Sequence, residues 1–211
     1  MDIVSQLIQS NYLKTPRIID AFRKIKRRDF VPPEIEGIAE SNEPFPIGYG
    51  QTISQPLTVA FMLELLQPKQ GEKVLDIGSG SGWTSALLAE IVGPKGKVFA
   101  IERIPELKEF GEKNARKYDF VDSGRIQFIT GDGSKGLPDF APFNCIHVAA
   151  AASRIPLALS DQLAIGGRMV IPLGVRTQNV TLVRKIAQDV FQRREFPGFA
   201  FVPLIEEEKK K

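Results

Sequence analysis

Cysteine and histidine are nearly missing from this chain, with one of each in 211 residues. The lone Cys145 excludes an internal disulfide and suits a reducing compartment. The lone His147 falls inside a short apolar run and reads as a packed strand residue, and no metal site is expected. No apolar run is long enough to span a membrane, and the opening MDIVSQLIQS lacks the basic flank and cleavage site of a signal peptide. A cytoplasmic protein is therefore expected. Excess charge is also small, at +3. The densest basic run, Lys24-Ile25-Lys26-Arg27-Arg28, could hold nucleic acid or an acidic substrate. The plainer expectation is a solvated helix face near a C-terminus, where cations complement the helix dipole.

No repeat or low-complexity linker interrupts the chain, and its length allows one substantial core. The first fifty-four residues read as N-terminal helices followed by a cleft-covering loop. Apolar positions at Ile3, Val4, Leu7 and Ile8, then at Ile18, Ile19, Phe22 and Ile25, have helical spacing. The second helix should begin with Thr15 as N-cap and Pro16 in the first turn. Residues 31–54, rich in Pro, Gly and polar side chains, predict an extended loop, and a further helix is expected from Pro56 to Leu66.

From Lys73 the pattern changes to short apolar runs alternating with helical stretches. The runs are VLDI at 74–77, VFAI at 98–101, IQFI at 126–129, CIHV at 145–148 and MVIPL at 169–173. That alternation predicts an α/β fold with a doubly wound, mostly parallel sheet. Val180 to Lys185 and Phe199 to Leu204 are expected as antiparallel strands at its C-terminal edge. The α/β core should thus occupy residues 55–204, with 205–211 as a frayed tail.

The sharpest local feature is Val74-Leu75-Asp76-Ile77-Gly78-Ser79-Gly80-Ser81-Gly82, an apolar strand ending in an acid and then a glycine-rich turn opening a helix. Such glycines suit a tight turn and a ligand that approaches bare backbone. Two more acids follow later strands: Glu102 after VFAI, and Asp132 between Gly131 and Gly133 after IQFI. All three features fall at the carboxyl ends of successive parallel strands, where open α/β sheets bind ligands. The spacing Gly78-x-Gly80-x-Gly82, with bulky Trp83 next, departs from the dinucleotide fingerprint G-x-G-x-x-G. Asp76 would also repel a diphosphate and attract an ammonium. S-adenosylmethionine, which has ribose, adenine and ammonium but no phosphate, suits the set.

Gly50-Gln51-Thr52-Ile53-Ser54-Gln55-Pro56, VLDIGSGSGWTSALLA, the IE at 101–102, the GDG at 131–133, IPLALSDQLAIGGRMVIPLG at 155–174 and FVPL at 201–204 occur in this order. Together they resemble the protein-L-isoaspartate (D-aspartate) O-methyltransferase family over nearly the whole chain. The resemblance implies a Rossmann-like class I methyltransferase fold and transfer of a methyl group from S-adenosylmethionine to the carboxylate of L-isoaspartyl residues, with S-adenosylhomocysteine as product. The methyl ester would then collapse to a succinimide, and hydrolysis would return some normal aspartate. D-aspartyl residues are a further candidate substrate. By the same resemblance Asp76, Gly78, Ser79, Gly80 and Gly82 would hold the methionine part. Glu102 would take the ribose hydroxyls, and Asp132 with Gly133 would read the adenine. Ser54 would be the active-site serine, with Thr52, Ile53, Val202 and Leu204 lining the substrate cleft. Ser54 also suits an N-cap for the helix near Pro56. Asn144, Ala149 and the irregular stretch from Asp189 to Phe201 depart from the family pattern.

The expected partners are proteins and peptides bearing isoaspartyl sites, and a homo-oligomer is compatible with the sequence. An RNA-directed or other methyltransferase is the main alternative. It is disfavoured because His147-Val148-Ala149-Ala150-Ala151 lacks the Asn/Asp-Pro-Pro-aromatic motif, and Cys145 lies in an apolar strand run unsuited to a nucleophile. A non-catalytic binding module would have no need of Ser54, Glu102 and Asp132 together.

Overall fold

A computed structural model describes residues 2–206. Helices α1 (Ile3–Gln9) and α2 (Pro16–Lys24) open the chain. Asp2 caps α1 by accepting the Ser5 amide at 3.0 Å. The side-chain cap expected of Thr15 on α2 is absent, because its hydroxyl donates to Glu64 Oε2 at 2.7 Å instead. Glu64 Oε1 also accepts the Lys14 and Thr15 amides, so one carboxylate clamps the start of α2 to helix α3 (Pro56–Leu66).

Residues 31–54 are more ordered than the expected loop. A 3-10 turn spans Arg27–Phe30 and another Pro33–Ile38, and an antiparallel hairpin follows, β1 (Phe45–Gly48) with β2 (Gln51–Ile53). Its bend places Gly48, Tyr49 and Gly50 at φ 93, 54 and 70°. The strands are four and three residues long and contain Pro46, so alternation had too few positions to register. The basic run also departs from expectation. Lys24 pairs with Glu90 at 2.8 Å, but Arg27 is only 1% exposed.

The main sheet comprises β3 (Lys73–Ile77), β4 (Lys97–Glu102), β5 (Ile126–Thr130), β6 (Phe143–Val148), β7 (Leu163–Leu173), β8 (Gln178–Ala187) and β9 (Val190–Phe199). Its order is β5-β4-β3-β6-β7-β8-β9; the first five are parallel, and β8 and β9 are added antiparallel. Helices α4 (Trp83–Val92) and α5 (Pro105–Arg116) cross between β3, β4 and β5, and the short α6 (Leu157–Asp161) precedes β7. The expected doubly wound sheet with an antiparallel edge is thus present.

The edge differs in register from expectation. The irregular stretch beginning at Asp189 forms β9, paired with β8 along its length; of the strand expected over Phe199–Leu204, Phe199 ends β9 and the rest makes only a parallel bridge from Pro203 to Ala151. Pro197, Gly198 and largely exposed side chains on both faces removed the usual alternation, and an edge strand tolerates both residues. Of the tail expected at 205–211, residues 207–211 lie outside the described residues, and Glu206 is exposed.

The parallel strands send alternate side chains to two cores. Val74, Val98, Ala100 and Cys145 face the helices α1 to α5, whereas Leu75, Ile77, Phe99, Ile101 and Ile146 face the opposite layer. Burying each such aliphatic side chain contributes about 1.5–3 kcal/mol, which locks the strand register. Cys145 is fully buried, and burial pushes its thiol well above the ordinary range, as expected of an inert core residue. Because the chain leaves β3 toward β4 on one side and returns to β6 on the other, a crevice opens at the carboxyl end of β3. Among the described residues, no helix is long and apolar enough to cross a membrane.

Candidate active site

A cavity of about 650 Å³ occupies that crevice. It is lined by the turn after β3, the ends of β4 and β5, the segment after β6, the end of the hairpin and residues 198–205. Its size falls within the range of cofactor and substrate sites.

The glycine turn is pinned to β4, since the Gly78 and Ser79 amides both donate to the Ile101 carbonyl, at 2.9 and 3.1 Å. Gly78, Gly80 and Gly82 adopt φ 78, 51 and 84°, a region that a side chain makes costly. Their surroundings separate their roles. Gly78, Ser79 and Gly80 line the cavity, and Gly82 does not. A Cβ on Gly82 would come within 2.7 Å of the Gly111 carbonyl, so its bareness lets α4 begin against α5. Gly82, expected with the other glycines at the ligand, is placed here at the α4–α5 packing and not in the cavity lining.

The three acids also divide. Glu102 is buried and lines the cavity, while Oε2 accepts the Gly80 amide and Oε1 the Ile104 amide, each at 3.0 Å. Each oxygen retains a second acceptor position. Asp76 is fully buried and absent from the lining. Ser85 Oγ donates to it at 2.5 Å and His147 Nδ1 hydrogen-bonds it at 2.8 Å. Its side chain thus ties β3 to α4 and β6 behind the turn and does not border the cavity, where an ammonium contact was expected of it. His147 is packed mid-strand, as expected, with this unforeseen partner. Asp132 likewise turns inward, accepting from the Ser134 amide at 2.9 Å and Ser134 Oγ at 2.6 Å, with Lys135 Nζ 3.3 Å away. Gly131 and Gly133 form that part of the wall. A Cβ on Gly133 would meet Ile77 Cγ2 at 2.3 Å, so only glycine keeps the wall flush.

Thr52, Ile53 and Ser54, carried by β2 and the residue after it, line the same cavity. Ser54 is not the cap of α3. Gln55 holds that position, and no side chain caps the helix, so the Ser54 hydroxyl is not spent there. Val202 and Leu204 complete the cleft, held extended because the Ala151 amide donates to the Val202 carbonyl and the Leu204 amide to the Ala151 carbonyl, both at 2.8 Å. Phe199 also lines it and stacks on Phe61 at 5.0 Å. Ala149 borders the cavity, and Asn144 lies away from it, accepting the Lys73 amide at 2.9 Å.

Ser79 and Trp83 also line the cavity, although Ser79 Oγ and Trp83 Nε1 are themselves buried. The Glu102 carboxylate beside the bare Gly78–Gly80 backbone suits a group rich in hydroxyls and amines. Sequence reasoning missed Trp83, which looked like a bulky spacer after the glycines.

Comparison with known proteins converges on one description. The family model "Protein-L-isoaspartate(D-aspartate) O-methyltransferase" matches residues 1–209. A protein-L-isoaspartate O-methyltransferase of Aeropyrum pernix is 48% identical over 97% of this chain and 78% of the relative. Its counterpart in Methanopyrus kandleri is 44% identical over 98% of this chain and 91% of the relative. In fold the chain is similar to a Plasmodium falciparum protein of the same description, crystallised with S-adenosyl-L-homocysteine. That likeness has a TM-score of 0.87 at 23% identity and covers 97% of each chain.

Proposed function

The chain belongs to the protein-L-isoaspartate (D-aspartate) O-methyltransferase family, and from that premise we propose how its residues share the reaction. The protein transfers a methyl group from S-adenosylmethionine to the carboxylate of L-isoaspartyl residues in damaged proteins, which starts repair through a succinimide. The observation that carries the division of roles is that Ser54 and the glycine turn line one and the same cavity.

S-adenosylmethionine supplies a methyl group already activated by its sulfonium. The backbone of Gly78, Ser79 and Gly80 holds the methionine part, with Ser79 Oγ as an added polar contact. Glu102 accepts from the ribose hydroxyls on the lone pairs left free by Gly80 and Ile104. Gly133 gives the adenine a flat wall, shaped from behind by the Asp132 cap. Asp76 acts indirectly, by holding Ser85 and His147 so that β3 delivers the turn at a fixed height.

On the acceptor side, an isoaspartyl carboxylate is ionised at neutral pH, so no general base is needed. Ser54 donates a hydrogen bond that turns the carboxylate oxygen toward the donor, and Thr52, Ile53, Val202 and Leu204 hold the flanking peptide. Alignment supplies most of the rate, since well-oriented reactants can gain about 7–11 kcal/mol over free encounter. D-aspartyl substrates and the cytoplasm as compartment belong to the same reading, the latter supported by the single buried cysteine.

The test is the chemical fate of the added methyl group. An isoaspartyl peptide incubated with the protein and the donor should gain a methyl ester that mild alkali removes, leaving succinimide by mass spectrometry. An alkali-stable methyl group would contradict carboxylate methylation.

A further inference from the structure

We propose that Arg27 is a positioning residue for methyl transfer, its guanidinium fixing the Ile53–Ser54 backbone relative to the cofactor turn. The inference rests on the assignment of Ser54 to the acceptor side. Arg27 lies outside the cavity lining and touches neither side of the reaction directly.

Every hydrogen bond Arg27 makes is to a backbone carbonyl. Nη1 donates to Ala39 and, at 3.3 Å, to Ser41. Nη2 donates to Glu43 at 2.7 Å, Ser54 at 3.0 Å and Ile53 at 3.4 Å. The guanidinium carbon also lies 5.3 Å from the Phe45 ring centroid and 5.4 Å from that of Trp83, within cation–π range. One planar cation thus joins three pieces of chain. They are the segment entering the hairpin, the segment leaving it with Ser54, and Trp83, the first residue of α4 after the glycine turn. The hairpin also approaches the glycine turn, because Ile47 Cδ1 lies 3.3 Å from where a Gly80 Cβ would stand.

This arrangement is costly as mere packing. Burial pushes Arg27 down to about 10, against the opposing pull of Glu40, so the cation is held where solvent favours it less. Well-packed apolar residues often replace such a buried charge without loss of stability. What an apolar residue cannot do is hold carbonyls of two separate segments at once, which the rigid fork of guanidinium donors does. Two of those carbonyls belong to Ile53 and Ser54. Lysine, with one compact ammonium, would reach only a subset.

The experiment compares full-length Arg27→Lys and Arg27→Met with wild type, and with Ile126→Ala, a buried site at the amino end of β5 away from the cavity. Steady-state kinetics use an isoaspartyl peptide, and calorimetry gives S-adenosylhomocysteine affinity. A misplacement on the order of 1 Å can cost about 100-fold, so kcat/KM should fall roughly 10- to 100-fold in Arg27→Met and by a smaller factor in Arg27→Lys. The loss should reside in kcat, with nucleoside affinity within about threefold of wild type. Ile126→Ala should lose stability while keeping near-normal kinetics wherever it is folded. If Arg27→Met does not fold, Arg27→Lys decides by the same criteria. Wild-type kinetics in the folded variants would overturn the proposal. So would activity losses that merely follow stability along the Ile126→Ala line, or a parallel loss of nucleoside affinity. A wild-type protein inactive on the isoaspartyl peptide would instead overturn the acceptor assignment on which the proposal stands.

Discussion

Removing the Ser54 hydroxyl isolates a single hydrogen bond, because that hydroxyl caps no helix and Gln55 occupies the cap position of α3. Hydrogen bonds to charged groups are worth about 1.5–3 kcal/mol, so Ser54→Ala should lower kcat/KM for an isoaspartyl peptide roughly 10- to 100-fold. Its melting temperature and nucleoside affinity should stay near wild type, as thermal unfolding and calorimetry would register. Glu102 is predicted to behave in the opposite sense. Glu102→Gln sets an amide donor against the Gly80 or Ile104 amide that the carboxylate now accepts. S-adenosylhomocysteine affinity should therefore drop about 10- to 100-fold, by the same energy range. At this scale the sequence was legible in placement, since Glu102 at a strand end and Ser54 before α3 both fall on the cavity wall. Asp76 was harder to read, because a strand-end acid looks the same whether it faces ligand or, as here, Ser85 and His147. Arg27 was hidden for a related reason, since a basic run does not reveal which member turns inward.

Between elements, the glycine turn performs two tasks that its spacing does not distinguish. Gly78 and Gly80 leave room in the cavity, whereas Gly82 brings the start of α4 against Gly111 of α5. Gly82→Ala would force a side chain at φ 84° and a Cβ 2.7 Å from the Gly111 carbonyl. Left-handed strain of about 1–2 kcal/mol and overpacking of about 1–3 kcal/mol should together cost roughly 2–5 kcal/mol in urea unfolding. A Gly82→Ala protein of wild-type stability would show that α4 and α5 do not depend on that contact. Helices α2 and α3 and strands β3 to β6 were readable because apolar periodicity persists over enough residues to exceed chance. The hairpin β1–β2 and the edge strand β9 were not. The former is too short for alternation, and the latter is exposed on both faces and contains Pro197 and Gly198.

For the molecule as a whole, the sheet's change of winding direction at β3 is what makes one cavity out of distant stretches of chain. Residues 52–54, 78–80, 102, 133 and 202–204 come together there. The strand-and-helix alternation foretold that crevice, but only the folded chain reveals that Arg27 joins the Ile53–Ser54 segment to the start of α4. A ligand held by the β3 wall alone must stabilise the native state, and saturation at about 100 times its dissociation constant contributes about 2.7 kcal/mol. S-adenosylhomocysteine should accordingly raise the melting temperature without any peptide present. An unchanged melting temperature at saturating nucleoside would argue against that wall as its site. The central claim is that the cavity unites this nucleoside with an isoaspartyl carboxylate, and competition between two otherwise identical peptides tests it most directly. With labelled S-adenosylmethionine as donor, the peptide carrying L-isoaspartate should take up the label and the one carrying L-aspartate should not. Equal labelling of both peptides, or of neither while the nucleoside is bound, would contradict the account.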